Sequence, residues 1–158
     1  MINTVKNIHE VVITGNDLTL EQLVAVARYD AKITIDADAA ERIKASRAIV
    51  DKIVNSGAVV YGITTGFGSL CRVHISKEDC SQLQENLIRT HSCGFGKPFT
   101  RELTRAMMLI RINALVKGYS GIRPETLDTL IAMLNKGVHP YIPEKGSLGA
   151  SEIGRAHV

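Results

Sequence analysis

A chain of 158 residues, 45% hydrophobic and 22% charged, is long enough to bury an apolar core and has the composition of a globular protein. Its 19 basic and 16 acidic residues leave a net charge of +3, with Lys and Arg scattered along the chain. Aromatic residues at 4% and the lack of Trp exclude the basic face with stacking rings that nucleic-acid binding asks for, so no nucleic-acid partner is expected.

The N-terminal MINTVKNIHEVV has no basic patch followed by a long apolar run, so no secretory leader is expected. Val11 to Thr14 and Ile33 to Ile35 are short β-branched runs that predict small strands. Between them, Thr19-Leu-Glu-Gln22 is a capping box opening a helix to about Tyr29. Asp36 caps the next helix and Gly57 ends it, with Ala39, Ile43, Ile49 or Val50, and Ile53 in helical spacing. Val59 to Leu70 breaks that spacing, and Gly62, Gly66 and Gly68 mark it as a loop with special backbone demands. Ser76-Lys-Glu-Asp79 opens a helix to about Ser92, after which Gly94, Gly96 and Pro98 punctuate the chain.

Thr100 begins a helix reaching about Lys117, apolar on most sides and therefore expected in the middle of a helical pack. Its most apolar part, Ala106 to Val116, is interrupted by Arg111 and Asn113 and is shorter than the ~20 residues of a membrane span, so no membrane partner is expected. Pro124 suits the first position of a further helix, which Lys136 and Gly137 end. His139 to Ser151, carrying Pro140, Pro143, Gly146 and Gly149, reads as irregular. The fold class is mainly α, with a small β element near the start.

Cys71, Cys80 and Cys93 form no CxxC pair and read as reduced thiols of a cytoplasmic protein. His9, His74 and His139 stand alone, and no HxxxH or HExxH pair supports a metal site. Taken alone, Tyr61-Gly-Ile-Thr-Thr-Gly-Phe-Gly68 is a tight loop, since its glycines match neither a dinucleotide fingerprint nor a phosphate loop. His91 shares a helix face with Leu83 and Leu87, and taken alone reads as a hydrogen-bonded core histidine.

Four segments change those readings: YGITTGFG, QLQENLIRTHSCG, KGYSGIR and HPYIPEKGSLGAS. In order and approximate separation they resemble the successive signatures of the aromatic amino-acid ammonia-lyase family, over about Val11 to Ser151. The resemblance implies the N-terminal portion of the ammonia-lyase fold, with helices that belong to a larger helical bundle. It also implies an electrophile, 4-methylidene-imidazol-5-one, formed autocatalytically from an internal Ala-Ser-Gly. In that chemistry the Gly nitrogen attacks the Ala carbonyl carbon, and loss of water turns the Ser side chain into an exocyclic methylidene. Glycine suits the third place because a Cβ would obstruct the approach. Ala150 and Ser151 match the first two places, and Glu152 departs from the third.

Tyr61 is similar to the family's tyrosine that removes a β-proton from the substrate, and the resemblance has Gly62, Gly66 and Gly68 shape the loop over the active site, Gly62 and Gly68 as substrate-binding positions. In the family a Ser/Thr-His pair goes with histidine as substrate, Phe-Leu with phenylalanine and His-Leu with tyrosine. The pair here is Thr90-His91, which implies conversion of L-histidine to trans-urocanate and ammonia. A tyrosine or phenylalanine lyase or an aminomutase is the alternative within the family. A non-catalytic helical binding or oligomerisation module is the alternative from another class. The family further implies a homotetramer.

The ending Glu152-Ile-Gly-Arg-Ala-His-Val158 departs from the family, which continues Gly-Asp-Leu-Ala-Pro. It back-translates to GAG ATC GGA AGA GCA CAC GTC, which after the first G is a widely used sequencing adapter. The expectation is that 1–151 is an incomplete N-terminal region of an ammonia-lyase and that 152–158 is a non-native, adapter-derived tail. A chain ending this way is expected to lack lyase activity. The helix around Ala106 to Val116 is expected to miss packing partners.

Overall fold

Residues 2–66, 68, 71–73 and 75–146 are described by a computed structural model. The chain divides into two compact units, Met1–Ala48 with Phe99–Pro140, and Ile49–Pro98 with Tyr141–Val158.

In the first unit, α1 (Ile2–Lys6) precedes β1 (Glu10–Ile13), α2 (Leu20–Tyr29) and β2 (Lys32–Ile35). The capping box forms as its spacing predicts. The Thr19 hydroxyl accepts from the Gln22 N–H at 3.2 Å, and the Gln22 side chain accepts from the Thr19 N–H at 2.9 Å. β1 and β2 pair in parallel with Val11 opposite Ile33 and Ile13 opposite Ile35, so α2 is their crossover. Alternation along β1 buries Val11 and Ile13 and exposes Glu10 and Val12.

α3 (Ala37–Ser56) starts where Asp36 Oδ2 accepts from the Ala39 N–H at 3.1 Å. Ala39 and Ile43 are buried; further along, Val50 and Ile53 are partly buried and Ile49 is exposed, which settles the choice between Ile49 and Val50.

α5 (Arg101–Val116) and α6 (Pro124–Lys136) complete the first unit, capped by Thr100 and opened by Pro124 as the sequence predicts. Met108, Leu109, Ile112, Leu115 and Val116 of α5 join Val11, Ile13, Val26, Ile33, Leu127 and Leu134 in one core. Each fully buried Leu, Ile or Val stabilises by about 1.5–3 kcal/mol relative to exposure. The expectation of a helix buried on most sides needs correction: α5 leaves Leu103, Ile110, Arg111 and Ala114 exposed. Its apolar surface is a face against α2 and α6, with Leu103 and Ile110 left outside it.

Two polar devices tie this unit together. The open edge of β2 is closed by Asn135 on α6, whose Oδ1 accepts from the Ile33 N–H and whose Nδ2 donates to the Ile33 carbonyl, both at 2.9 Å. An amide side chain thus replaces a missing strand. The second device is Arg105, which is 1% exposed. Its Nε donates to the Val26 carbonyl at 2.9 Å and one terminal nitrogen donates to the Leu134 carbonyl at 2.8 Å, binding the C-terminal turns of α2 and α6. The same nitrogen donates to His139 Nε2 at 3.2 Å, and the other lies 3.2 Å from Asp30 Oδ1.

Burial pushes the Arg105 guanidinium below its usual pKa, against the pull of Asp30. His139 is also held below the usual histidine value, by burial first and then by Arg105 and Arg101. The Asp30 carboxyl is lowered mainly by its hydrogen bond from Arg101, at 2.6 Å.

The turn between α5 and α6 carries the KGYSGIR motif. Gly118 has φ +80, and an added Cβ would stand 3.0 Å from Arg42 Cβ and 3.1 Å from the Arg42 carbonyl oxygen. Gly121 donates to Ser46 Oγ at 3.1 Å and accepts from Arg47 at 3.3 Å. Much of this motif is therefore an anchor of the turn onto α3.

The second unit holds the remainder of α3, α4 (Lys77–His91), β3 (Phe95–Pro98) and β4 (Pro143–Lys145). β3 and β4 pair antiparallel, with Phe95 opposite Lys145 and Pro98 opposite Pro143. The sequence predicts an irregular course for His139–Ser151 and punctuation at Gly94, Gly96 and Pro98, so neither strand is expected from it. Gly and Pro argue against strands locally, and this pairing joins segments far apart in sequence. The mainly α fold class stands, with four short strands among the described residues. Among the described residues no helix is long and apolar enough to cross a membrane.

Candidate active site

The segment carrying Tyr61 is built on two threonines. The Thr64 hydroxyl donates to the Ala58 carbonyl at 2.6 Å and accepts from the Val60 N–H at 2.9 Å. The Thr65 hydroxyl accepts from the Gly62 N–H at 3.3 Å and donates to the Gly66 carbonyl at 3.0 Å. Both side chains are buried. Two backbone bonds, Ile75 N–H to Thr64 O at 2.9 Å and Gly66 N–H to Val73 O at 3.2 Å, close the loop on itself.

Gly62 sits at φ +74, a conformation a side chain would strain, and Gly68 is also left-handed at φ +58. The turn Tyr61–Thr64 holds Tyr61 63% exposed. Sequence reasoning singled out Tyr61, Gly62 and Gly68 and passed over Thr64 and Thr65. Two adjacent threonines inside a glycine loop were the available signal.

Thr90 and His91 end α4. The helix begins as predicted, with Ser76 Oγ accepting from the Asp79 N–H at 3.1 Å. Leu83, Leu87 and His91 are partly buried while the residues between Leu87 and His91 are exposed, so the three share a face as their spacing predicts. His91 Nδ1 lies 2.9 Å from the Leu87 carbonyl, and the Thr90 hydroxyl lies 3.1 Å from Nδ1 and donates to the same carbonyl at 3.0 Å. The ring therefore caps the last turn, where a histidine also suits the helix dipole. Reading His91 as a core residue gives way to a half-buried cap.

The β3–β4 ladder follows this helix end in the chain. His91 precedes Phe95 by four residues, and Phe95 pairs with Lys145. β3 begins and β4 ends at the same end of the ladder. The Tyr141 hydroxyl donates to the Gly96 carbonyl at 3.0 Å across the ladder. A Cβ on Gly94 would stand 3.0 Å from Pro143 Cγ, so the two segments are pressed together. Ala150, Ser151 and Glu152 lie outside the described residues.

Arg123, in the first unit, is exposed and makes no ion pair among the described residues. Asn113 Oδ1 is buried with no hydrogen-bond partner among them. Cys71 and Cys93 are free and exposed. No group of three or more His, Cys, Asp or Glu able to hold a metal is found among the described residues.

Residues 18–152 match the family described as Aromatic amino acid lyase. A histidine ammonia-lyase of Clostridium tetani is 62% identical over 146 residues, covering 92% of this chain and 28% of the relative. The chain therefore spans about 28% of the length of such curated relatives. The crystal structure of histidine ammonia-lyase from Trypanosoma cruzi superposes with a TM-score of 0.82 at 45% identity, covering 89% of this chain and 27% of that one. Tyrosine aminomutase from Streptomyces globisporus superposes with a TM-score of 0.84 at 38% identity, covering 89% of this chain and 27% of that one.

Proposed function

The chain belongs to the aromatic amino acid lyase family, and on that premise we propose that it is the N-terminal part of an enzyme that eliminates ammonia from L-histidine to give trans-urocanate. The observation that carries the substrate assignment is the Thr90-His91 pair at the end of α4. It presents a half-buried imidazole whose Nδ1 is committed to the helix, so Nε2 is left to meet a polar substrate ring. A substrate imidazole left without a polar partner would lose binding, and a phenyl ring would bury the His91 nitrogen unsatisfied. Curated relatives named histidine ammonia-lyase at 62–64% identity support the same assignment. Similarity to a tyrosine aminomutase keeps that activity as the second reading.

In this proposal Tyr61 is the base that removes the β-proton. Its exposed position on a braced turn supports the role, because the phenol can reach a substrate while its backbone stays fixed. Ala150 and Ser151 fit the first two units of the methylidene-imidazolone precursor. Glu152 does not fit the third, because it sets a charged side chain beside the nitrogen that must close the ring. The chain as written is therefore proposed to be inactive, and 152–158 to be foreign to the lyase. The family match reaches residue 152 and leaves only 153–158 outside it. Assembly as a homotetramer and location in the cytoplasm belong to the same proposal, and the mass of the completed protein in solution checks the first.

The test is substrate profiling of a protein completed with the family's downstream frame and glycine at position 152. Histidine turnover is expected, and His91→Leu is expected to lose it and to gain turnover of tyrosine or phenylalanine. Unchanged histidine kinetics in His91→Leu would remove His91 from the assignment.

A further inference from the structure

The His91 ring is held by two oxygens with different capacities. The Leu87 carbonyl, 2.9 Å from Nδ1, only accepts hydrogen bonds. The Thr90 hydroxyl, 3.1 Å from Nδ1, can donate or accept, but its proton already goes to the Leu87 carbonyl at 3.0 Å. Both oxygens therefore face Nδ1 with lone pairs. A bare Nδ1 would set a third lone pair against them, whereas an Nδ1–H is shared between the two as a three-centre bond.

We propose that Thr90 and the Leu87 carbonyl lock neutral His91 as the Nδ1–H tautomer, which leaves Nε2 as a hydrogen-bond acceptor for a ligand ring that carries a donor. Thr90 is then a positioning residue: it acts through His91 by committing its own proton to the helix. The inference rests on the assignment of Thr90-His91 to the substrate ring and deepens it. The ligand class is a ring with an N–H or O–H aimed at Nε2. A phenyl ring or an azole alkylated at that nitrogen leaves Nε2 unpaired. Among the described residues Nε2 has no hydrogen-bond partner of its own.

The test reads the ring directly and needs no turnover. The chain is labelled with ¹⁵N-histidine, its five histidines are observed at alkaline pH, and the His91 signals are assigned by their loss in His91→Gln. The expected spectrum shows a protonated-type Nδ1 and a bare-type Nε2 for His91. Thr90→Ser, which keeps the hydroxyl, is expected to retain that pattern. Thr90→Val is expected to shift both nitrogens toward each other as the Nε2–H form gains population. A wild-type ring protonated on Nε2 overturns the proposal without recourse to any variant. Thr90→Val with wild-type shifts removes Thr90 from it. Either failure leaves the substrate assignment to be judged by the turnover of the completed protein, so the two are read apart.

Discussion

Leu109 and Leu87 both lie on the apolar face of a capped helix, yet Leu109 is fully buried and Leu87 only half so. The difference extends to their surroundings. The first unit has an apolar core drawn from helices and strands, crossed by a few directed polar bonds. In the second, the buried side chains among the described residues are Thr64 and Thr65, and every described side chain of α4 keeps some exposure. The second unit is organised by hydrogen bonds within loops and at helix ends, and those bonds hold the residues assigned to chemistry. A region with few buried apolar contacts opens locally at low free energy, which suits a site that must admit a substrate.

The contrast is broken most severely by Arg105→Ala. It removes the guanidinium from the Val26 carbonyl and leaves the Leu134 carbonyl with the Gly137 N–H alone, and is expected to cost ~3–5 kcal/mol. Urea unfolding measures this, and a cost under ~1 kcal/mol would mean that water replaces the guanidinium. Leu109→Ala against Leu87→Ala sharpens the comparison directly, with about 2–5 kcal/mol expected for the first. About 1 kcal/mol or less is expected for the second. Equal costs would erase the distinction between the units. Asn135→Ala should cost ~1–3 kcal/mol, because it unpairs both Ile33 backbone groups at the open edge of β2.

Acid should weaken the first unit in two steps. His139 is held below its ordinary pKa by burial, so the unfolded chain takes up that proton first. Stability therefore falls as pH drops below about 6.5, and that loss is complete once the folded value is passed. Asp30, also lowered, adds a second loss below roughly pH 4. Midpoints of thermal unfolding against pH check both steps, and His139→Gln should flatten the upper one alone. Thr64→Val should have the smallest global effect. It frees the Val60 N–H, so faster hydrogen exchange there with an unchanged midpoint is expected.

Where a local rule decides the structure, the sequence was readable. The Thr19 box, the Asp36 and Thr100 caps, Pro124 and the face shared by Leu83, Leu87 and His91 all form as their spacing predicts. The β3–β4 ladder was not readable, because it joins Gly- and Pro-rich segments by a pairing that neither favours alone. Arg105 was equally hidden: one arginine beside an apolar run gives no sign that four partners await its guanidinium. At the candidate site the sequence pointed to Tyr61, Gly62, Gly68, Thr90 and His91 through a resemblance. The bracing by Thr64 and Thr65 and the role of His91 as a helix cap came from geometry alone.

In the proposed lyase, ring closure depends on what stands third after Ala150 and Ser151. The most direct measurement is urocanate absorbance on adding L-histidine to two completed proteins that differ only in glycine or glutamate at position 152. The prediction is steady urocanate formation with glycine and none with glutamate. Equal activity of the two, or a glycine form inert toward histidine while active on tyrosine, would contradict it.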